Sequence, residues 1–194
     1  EAVTFAPFFT EYRCWVEATG ASLQVVPPRL PDFQIDTAVF ERMLTPKTKL
    51  VIVNTPNNPS GVVYSEETIK TLSGILRRKS EEYGSPIYLI TDEPYREIVY
   101  DAIQVPYLTK YYENTLVCYS YSKSLSLPGE RIGYIVIPDR IADHEHVAPA
   151  IAGAARALGY VCAPILFQKV IGKCVEDTGD LSAYRRNRDL LMGG

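Results

Sequence analysis

The chain has 194 residues, 46% of them hydrophobic, and a formal net charge of -3 at pH 7. This length and hydrophobic content suit one globular domain with a substantial core, or most of a larger one. The mild acidity and the scattered lysines and arginines argue against a nucleic-acid partner. No apolar run is long enough to span a bilayer, so we expect no membrane partner either.

Six short apolar segments alternate with amphipathic ones, and we predict that the apolar segments are β-strands. Two of them contain stretches, residues 51–53 and 88–90, that are apolar on both faces, as expected of strands covered by helices on each side. The predicted strands are residues 2–5, 23–26, 50–53, 87–90, 115–119 and 133–137.

The amphipathic segments between the strands predict helices. The first ends at Gly20, a typical residue just beyond a helix C-terminus. Asp36 is the predicted N-cap of a second helix that runs to Leu44, and Ser65 is predicted to open a third. The apolar faces of the first and third helices consist of Tyr12, Trp15 and Val16, and of Ile69, Leu72, Ile75 and Leu76.

The last third of the chain, residues 142–191, is predicted to be mainly helical, with breaks at Pro149 and near Pro164. The alternation of strands and helices favours an α/β fold, with three α/β/α layers and a mostly parallel sheet. In such sheets ligands bind beyond the carboxyl ends of the strands. The residues that follow each strand are therefore the candidates for a functional site.

Polar residues follow three of the predicted strands at that edge. Asn58 lies in the segment after the third strand, Asp92 and Tyr95 follow the fourth, and Lys123 follows the fifth. Three successive strand ends thus provide an amide, an acid with a phenol, and an amine with neighbouring hydroxyls. This convergence is harder to explain by chance than any single motif.

These groups suit pyridoxal 5′-phosphate (PLP), an aldehyde that carries a phosphate. A lysine must hold the aldehyde as an imine, and Lys123 is the only lysine at a predicted strand end. A carboxylate must keep the pyridine nitrogen protonated, which is the predicted role of Asp92. Tyr95 and Asn58 are candidates to hydrogen-bond the phenolic oxygen of the cofactor.

The phosphate and the ring face of PLP need further partners. Arg131 can bind a phosphate with two hydrogen bonds, and Ser120 and Ser122 add hydroxyl donors. Phe9, after the first strand, can lie flat on the pyridine ring. Each of these residues also has an ordinary explanation in a turn, on the surface or in the core. Only their combination favours the cofactor site.

Metal and disulfide chemistry are not indicated. His144 and His146 are two residues apart on a predicted helix and point to different sides, so we expect no metal site. The four cysteines are widely spaced, with no C-x-x-C pair. Reduced thiols fit a cytoplasmic protein.

Four strings, in order, resemble the class I/II aminotransferases, the aspartate-aminotransferase-like branch of the fold-type I PLP enzymes. They are NTPNNPSG at 54–61, DEPY at 92–95, SYSK at 120–123 and GERIG at 129–133. The resemblance covers essentially the whole chain. It implies that the catalytic residues are Lys123, Asp92 and Tyr95, and that PLP is bound by these three with Phe9, Asn58, Ser120, Ser122 and Arg131.

The family resemblance also implies parts outside this chain. In the family, a glycine-containing turn at a helix N-terminus helps to hold the phosphate, and a C-terminal small domain binds the substrate carboxylate. We therefore expect residues 1–194 to be the central part of the cofactor-binding large domain, truncated at both ends. The implied parent is a homodimer that transfers an amino group between an amino acid and a 2-oxo acid. The chain alone is expected to be inactive and to bind PLP weakly.

Two alternative functions stay open on the sequence. PLP-dependent lyases, C–S lyases among them, and synthases of the same fold use this constellation to break other bonds. Aminotransferase-like domains also act as sensors in transcriptional regulators, fused to DNA-binding modules. The identity of the released products would distinguish lyases and synthases from aminotransferases. A winged-helix segment upstream would favour the regulator.

Overall fold

A six-stranded sheet organises the protein in the computed structural model, which describes residues 1–176 and 180–193. The strand order is β2-β1-β3-β4-β5-β6, with the first five strands parallel and β6 antiparallel to β5. The predicted mostly parallel sheet is confirmed, and each strand agrees with its prediction to within two residues. The strands are β1 Ala2–Phe5, β2 Leu23–Val26, β3 Leu50–Asn54, β4 Tyr88–Asp92, β5 Thr115–Ser120 and β6 Gly133–Val136.

Seven α-helices lie in the described residues, and the predicted caps account for where several begin and end. The side chain of Asp36 accepts a hydrogen bond from Val39 N at 2.9 Å, and Ser65 accepts one from Thr68 N at 3.1 Å. Both caps are confirmed. The helices are α1 Glu11–Ala18, α2 Thr37–Met43, α3 Glu66–Tyr83, α4 Tyr121–Ser124, α5 His144–Ala157, α6 Ile165–Cys174 and α7 Ser182–Met192.

One face of the sheet buries the larger core. Alternate strand residues, such as Val51 and Leu89, pack against the apolar stripe of α3 and against Phe40 of α2. The predicted stripe is confirmed, since its four residues Ile69, Leu72, Ile75 and Leu76 are all at most 4% exposed. Burial of this apolar surface is the main stabilising contribution to the domain.

The opposite face of the sheet is covered by α1. Tyr12 and Val16 of this helix pack in a smaller cluster with Ala2, Leu23 and Ile52. Helices on both faces of one sheet give the predicted three-layer α/β/α architecture. Trp15, which we expected on the same apolar face, is 61% exposed.

The prediction of a helix break at Pro149 was wrong. Helix α5 runs through Pro149 without interruption, whereas the predicted break near Pro164 is confirmed because α6 begins at Ile165. A proline removes one backbone donor, here the one that would bond the carbonyl of Glu145, and its neighbours are mainly alanines with high helix propensity. Within the described part of the chain, no helix is both long and apolar enough to cross a membrane.

Candidate functional site

The strand ends that were predicted to meet lie side by side at one edge of the sheet. Asn54 at the end of β3 is paired in register with Asp92 at the end of β4. Asp92 is paired in turn with Cys118, two residues before the end of β5. Strand order therefore brings the polar segments after β3, β4 and β5 together, as the sequence predicted.

Asp92 is a partly buried carboxylate on the face of the sheet that α1 covers. The Tyr12 hydroxyl donates a hydrogen bond to its Oδ2 at 2.5 Å. Burial raises the pKa of Asp92 above its ordinary value, Tyr12 acts in the opposite direction, and the neighbouring Glu93 adds to the rise. A cationic partner at this position, such as a protonated pyridine, would stabilise the ionised form of Asp92.

Asn54 joins the segments after β3 and β4 through its buried side-chain amide. Its Nδ2 donates to the carbonyl of Asp92 at 2.8 Å, and its Oδ1 accepts from Asn58 N at 2.6 Å. The amide of Asn58 then donates to the Tyr95 hydroxyl at 3.4 Å. The predicted pair for the phenolic oxygen, Asn58 and Tyr95, is thus brought together.

A buried ion pair fixes the turn that follows Asp92. Glu93 has a side chain that is 1% exposed, and its Oε2 accepts from Arg96 Nε at 2.6 Å. The guanidinium also donates to the carbonyls of Val105 and Pro106, at 3.2 and 3.0 Å. The Thr91 hydroxyl donates to the other oxygen of Glu93 at 2.8 Å. These contacts hold the turn that presents Tyr95.

Lys123 is placed by the short helix α4, which begins directly after β5. Ser120 is the N-cap of this helix: its Oγ accepts from Ser122 N at 3.1 Å and donates to Ser122 Oγ at 2.7 Å. The amine of Lys123 lies 5.9 Å from the centroid of the Tyr95 ring, within the range of a cation–π contact. The structure therefore places Lys123 beside Tyr95. It also places Ser120 and Ser122 within hydrogen-bonding distance of each other.

Among the predicted site residues, Arg131 has the contacts that agree least with its predicted role. Its side chain is exposed and donates to the carbonyl of Pro128 at 2.8 Å, and its backbone is left-handed with φ 51°. Two residues later, Gly133 lies so close to the carbonyl of Tyr119 that a Cβ there would overlap it. A phosphate contact for Arg131 stays a prediction.

Phe9 belongs to an aromatic group at the start of α1. Its ring centroid lies 5.7 Å from that of Tyr12 and 6.0 Å from that of Trp15. Phe9 is partly buried and packs against the smaller core cluster. Its predicted stacking on a cofactor ring stays a prediction.

Two cavities are lined by four of the predicted site residues, namely Asp92, Ser120, Asn58 and Tyr95. The larger, of about 700 Å³, is lined by Tyr12, Trp15, Asp92, Cys118 and Ser120, among others. Burial raises the pKa of the Cys118 thiol to about 12, so this thiol adds no charge to the cavity at neutral pH. Asn58 and Tyr95 instead line a second cavity of about 460 Å³.

The residues present fit PLP by their chemistry. The site offers a primary amine, a partly buried carboxylate, an amide beside a phenol, and two hydroxyls at the N-terminus of a helix. These match the imine, the ring nitrogen, the phenolic oxygen and the phosphate of the cofactor. In residues 1–176 and 180–193, no three His, Cys, Asp or Glu side chains are placed to share a metal ion.

Sequence reasoning missed several residues that support the site. Tyr12 was expected only as a core residue, and the roles of Asn54, Arg96 and Gly133 were not foreseen. The sequence signal that could have identified Arg96 is its place three residues after Glu93, in the turn that follows β4. Tyr12 had no local signal, because its partner Asp92 lies 80 positions away in the sequence.

A mostly parallel α/β sheet with this set of groups at its carboxyl edge is typical of one class of PLP-dependent enzymes. The family model described as "Aminotransferase class I and II" matches residues 1–191. The chain belongs to the class I and II aminotransferase family, whose members depend on PLP. The predicted family is therefore confirmed.

Known relatives are aminotransferases of several specificities. The chain is 32% identical to a probable aspartate/prephenate aminotransferase from Thermus aquaticus, over all of this chain and 50% of that protein. It is also 32% identical to a probable N-acetyl-LL-diaminopimelate aminotransferase from Bacillus subtilis, over 74% of this chain and 35% of that protein. The chain thus spans half or less of the length of these relatives.

A solved structure of an amino transferase from Eubacterium rectale is similar over 99% of this chain and 48% of its own, at 60% identity and a TM-score of 0.95. A likeness of this degree covers the sheet, both helical layers and the strand-end turns. The fold described above is the one found in that structure.

Proposed function

We propose that the protein is a PLP-dependent aminotransferase that transfers an amino group between an amino acid and a 2-oxo acid. The observation that supports this most is the meeting of Asp92, the Asn58–Tyr95 pair and Lys123 at three neighbouring strand ends. The aminotransferase names of its relatives agree with this activity. We propose residues 1–194 as part of the large, cofactor-binding domain.

Each group has a distinct task in this proposal. When bound, PLP supplies an electron sink for charge that develops at the substrate Cα. Asp92 keeps the ring nitrogen protonated, and Asn58 with Tyr95 hydrogen-bonds the phenolic oxygen. Lys123 would hold the cofactor through its amine and would act as the base that takes the proton from the substrate Cα. Lys123, Asp92 and Tyr95 are the proposed catalytic residues.

The phosphate and the ring face complete the proposed cofactor site. Ser120 and Ser122 offer hydroxyls at the N-terminus of α4, and Arg131 supplies the cation once its side chain leaves the Pro128 carbonyl. Phe9 covers the ring from the α1 side. We propose further that the whole enzyme is a cytoplasmic homodimer, in line with its four free cysteines and the exposed Trp15.

The test is covalent attachment of PLP to Lys123. Borohydride reduction of the chain mixed with PLP, followed by peptide mass mapping, should place the label on Lys123 in wild type and nowhere in Lys123→Ala. Lys70→Ala is the matched control, because Lys70 is exposed on α3 and pairs with Glu66 at 2.7 Å, outside the site. It should label like wild type.

Activity separates transfer from the alternatives. In the protein that carries this chain together with the rest of its large and small domains, Lys123→Ala should abolish formation of a 2-oxo acid from an amino acid. Retained turnover in that variant would contradict the proposal. Release of ammonia or of a thiol in place of amino transfer would instead assign the site to lyase chemistry. We expect the chain alone to label weakly and to be inactive.

A further inference from the structure

A long-range hydrogen bond ties helix α1 to the proposed catalytic acid. The hydroxyl of Tyr12, a side chain that is 4% exposed, donates to Asp92 Oδ2 at 2.5 Å. Tyr12 is held from its own side by the rings of Phe8 and Phe9, with centroids 6.5 and 5.7 Å away. Its donor is therefore fixed before any ligand arrives.

The surroundings of Asp92 make such a donor necessary. Burial and the adjacent Glu93 both raise the pKa of Asp92, whereas the hydrogen bond from Tyr12 lowers it. The Cys118 thiol on β5 also faces this carboxylate, and a thiol provides no positive charge in either protonation state. Among these groups Tyr12 is the one that favours the ionised acid.

We propose that Tyr12 is a positioning residue for PLP, one that holds Asp92 by Oδ2 and leaves Oδ1 for the ring nitrogen. This inference rests on the proposed function, because it concerns the same cofactor. A neutral acid at this position could not keep the pyridine protonated, since only a carboxylate stabilises the adjacent cation. Tyr12 acts through Asp92 and contributes at a distance from the reacting carbon.

The first experiment needs no cofactor. The titration midpoint of Asp92 is followed by carboxyl ¹³C NMR in wild type and in Tyr12→Phe, which removes only the hydroxyl. We expect the midpoint to rise by about one pH unit, a tenfold change in proton affinity, because a hydrogen bond to a charged group is lost. An unchanged midpoint would overturn the proposal.

A matched control separates this effect from a general loss of stability. Tyr112 is also a buried tyrosine, 1% exposed, and its hydroxyl donates to the carbonyl of Ile87 at 2.6 Å in the larger core. Tyr112→Phe should lower the stability of the domain yet leave the Asp92 midpoint in place. A similar shift in both variants would show a structural effect alone and would contradict the assignment.

The second experiment adds PLP. We expect Tyr12→Phe to bind it about tenfold more weakly than wild type at pH values below the two measured Asp92 midpoints, with the difference disappearing above them, where Asp92 is ionised in both proteins. A role in packing alone would weaken binding equally at every pH, and that result would overturn the proposal. Tyr112→Phe should bind PLP like wild type.

The outcomes distinguish this inference from the proposed function. If wild type forms no covalent link to PLP, the proposed function falls, and the role of Tyr12 toward the cofactor falls with it. If wild type binds PLP and Tyr12→Phe binds equally well both below and above the Asp92 midpoints, only the inference falls. Should Tyr12→Phe not fold, replacement of Tyr12 by 3-fluorotyrosine keeps the ring and strengthens the donor. The Asp92 midpoint should then move down, and no movement would overturn the inference.

Discussion

The two halves of the proposed site are built in different ways. On the β3–β4 side, Asp92 is held by Tyr12 and Asn54, and Glu93 by a buried pair with Arg96. The two contacts of Asp92 span 80 and 38 positions of the chain, whereas the Glu93–Arg96 pair is local. On the β5–β6 side, Ser120 and Ser122 are held by a local cap, and the side chain of Arg131 bonds a carbonyl three residues away.

This difference shows which side chains of the proposed site are held in position before a ligand binds. The groups proposed for the ring nitrogen and the phenolic oxygen are positioned by partly buried hydrogen bonds between segments that are distant in the sequence, so they lose little further freedom when a ligand binds. The groups proposed for the phosphate are positioned by contacts within three residues, and Arg131 is exposed, so ligand binding must order the Arg131 side chain. Three substitutions test the contrast, beginning with the largest expected effect.

Arg96→Met should damage the first half most. The substitution leaves the carboxylate of Glu93 buried without its cation, and breaking a buried ion pair from one side costs about 3–5 kcal/mol. Chemical denaturation measures the loss. Arg13→Met is the control, because Arg13 forms an exposed pair with Glu17 on α1 that contributes about 0.5 kcal/mol or less. Equal losses in the two variants would remove the contrast.

Gly133→Ala tests the close approach of the β6 and β5 backbones in the second half. A methyl group there overlaps the carbonyl of Tyr119, so β6 must move away from β5 at a cost of about 1–3 kcal/mol. Gly74→Ala in α3 is the control, since a Cβ at Gly74 meets no neighbouring atom and alanine favours a helix. That variant should gain up to about 1 kcal/mol in the same denaturation experiment. A neutral Gly133→Ala would show that β6 moves freely.

Arg131→Ala should change stability least. The side chain is exposed, and we expect the free energy of unfolding to stay within about 0.5 kcal/mol of wild type. Affinity for PLP should fall about tenfold through loss of a charge-assisted phosphate contact, while affinity for pyridoxal, which lacks the phosphate, should not change. Equal weakening of both ligands would argue against a phosphate role for Arg131.

Much of the fold and part of the site followed from the sequence. Strand periodicity located the sheet, and parallel order alone places Asn58 and Tyr95 at neighbouring strand ends. The contact of Tyr12 with Asp92 could not be predicted, because it depends on how α1 lies across the sheet. The side chain of Arg131 was unpredictable for another reason: its direction follows from a left-handed backbone, which no residue pattern nearby requires.

The bridge made by Asn54 has a consequence for redesign. One amide spans the backbone of two segments, bonding the carbonyl of Asp92 and the N–H of Asn58. Both partners are backbone atoms, which any residue at position 92 and any residue except proline at position 58 provides, so the bridge depends on the side chain of Asn54. A redesign can therefore vary the other side chains of the two strand-end segments, provided that it keeps Asn54.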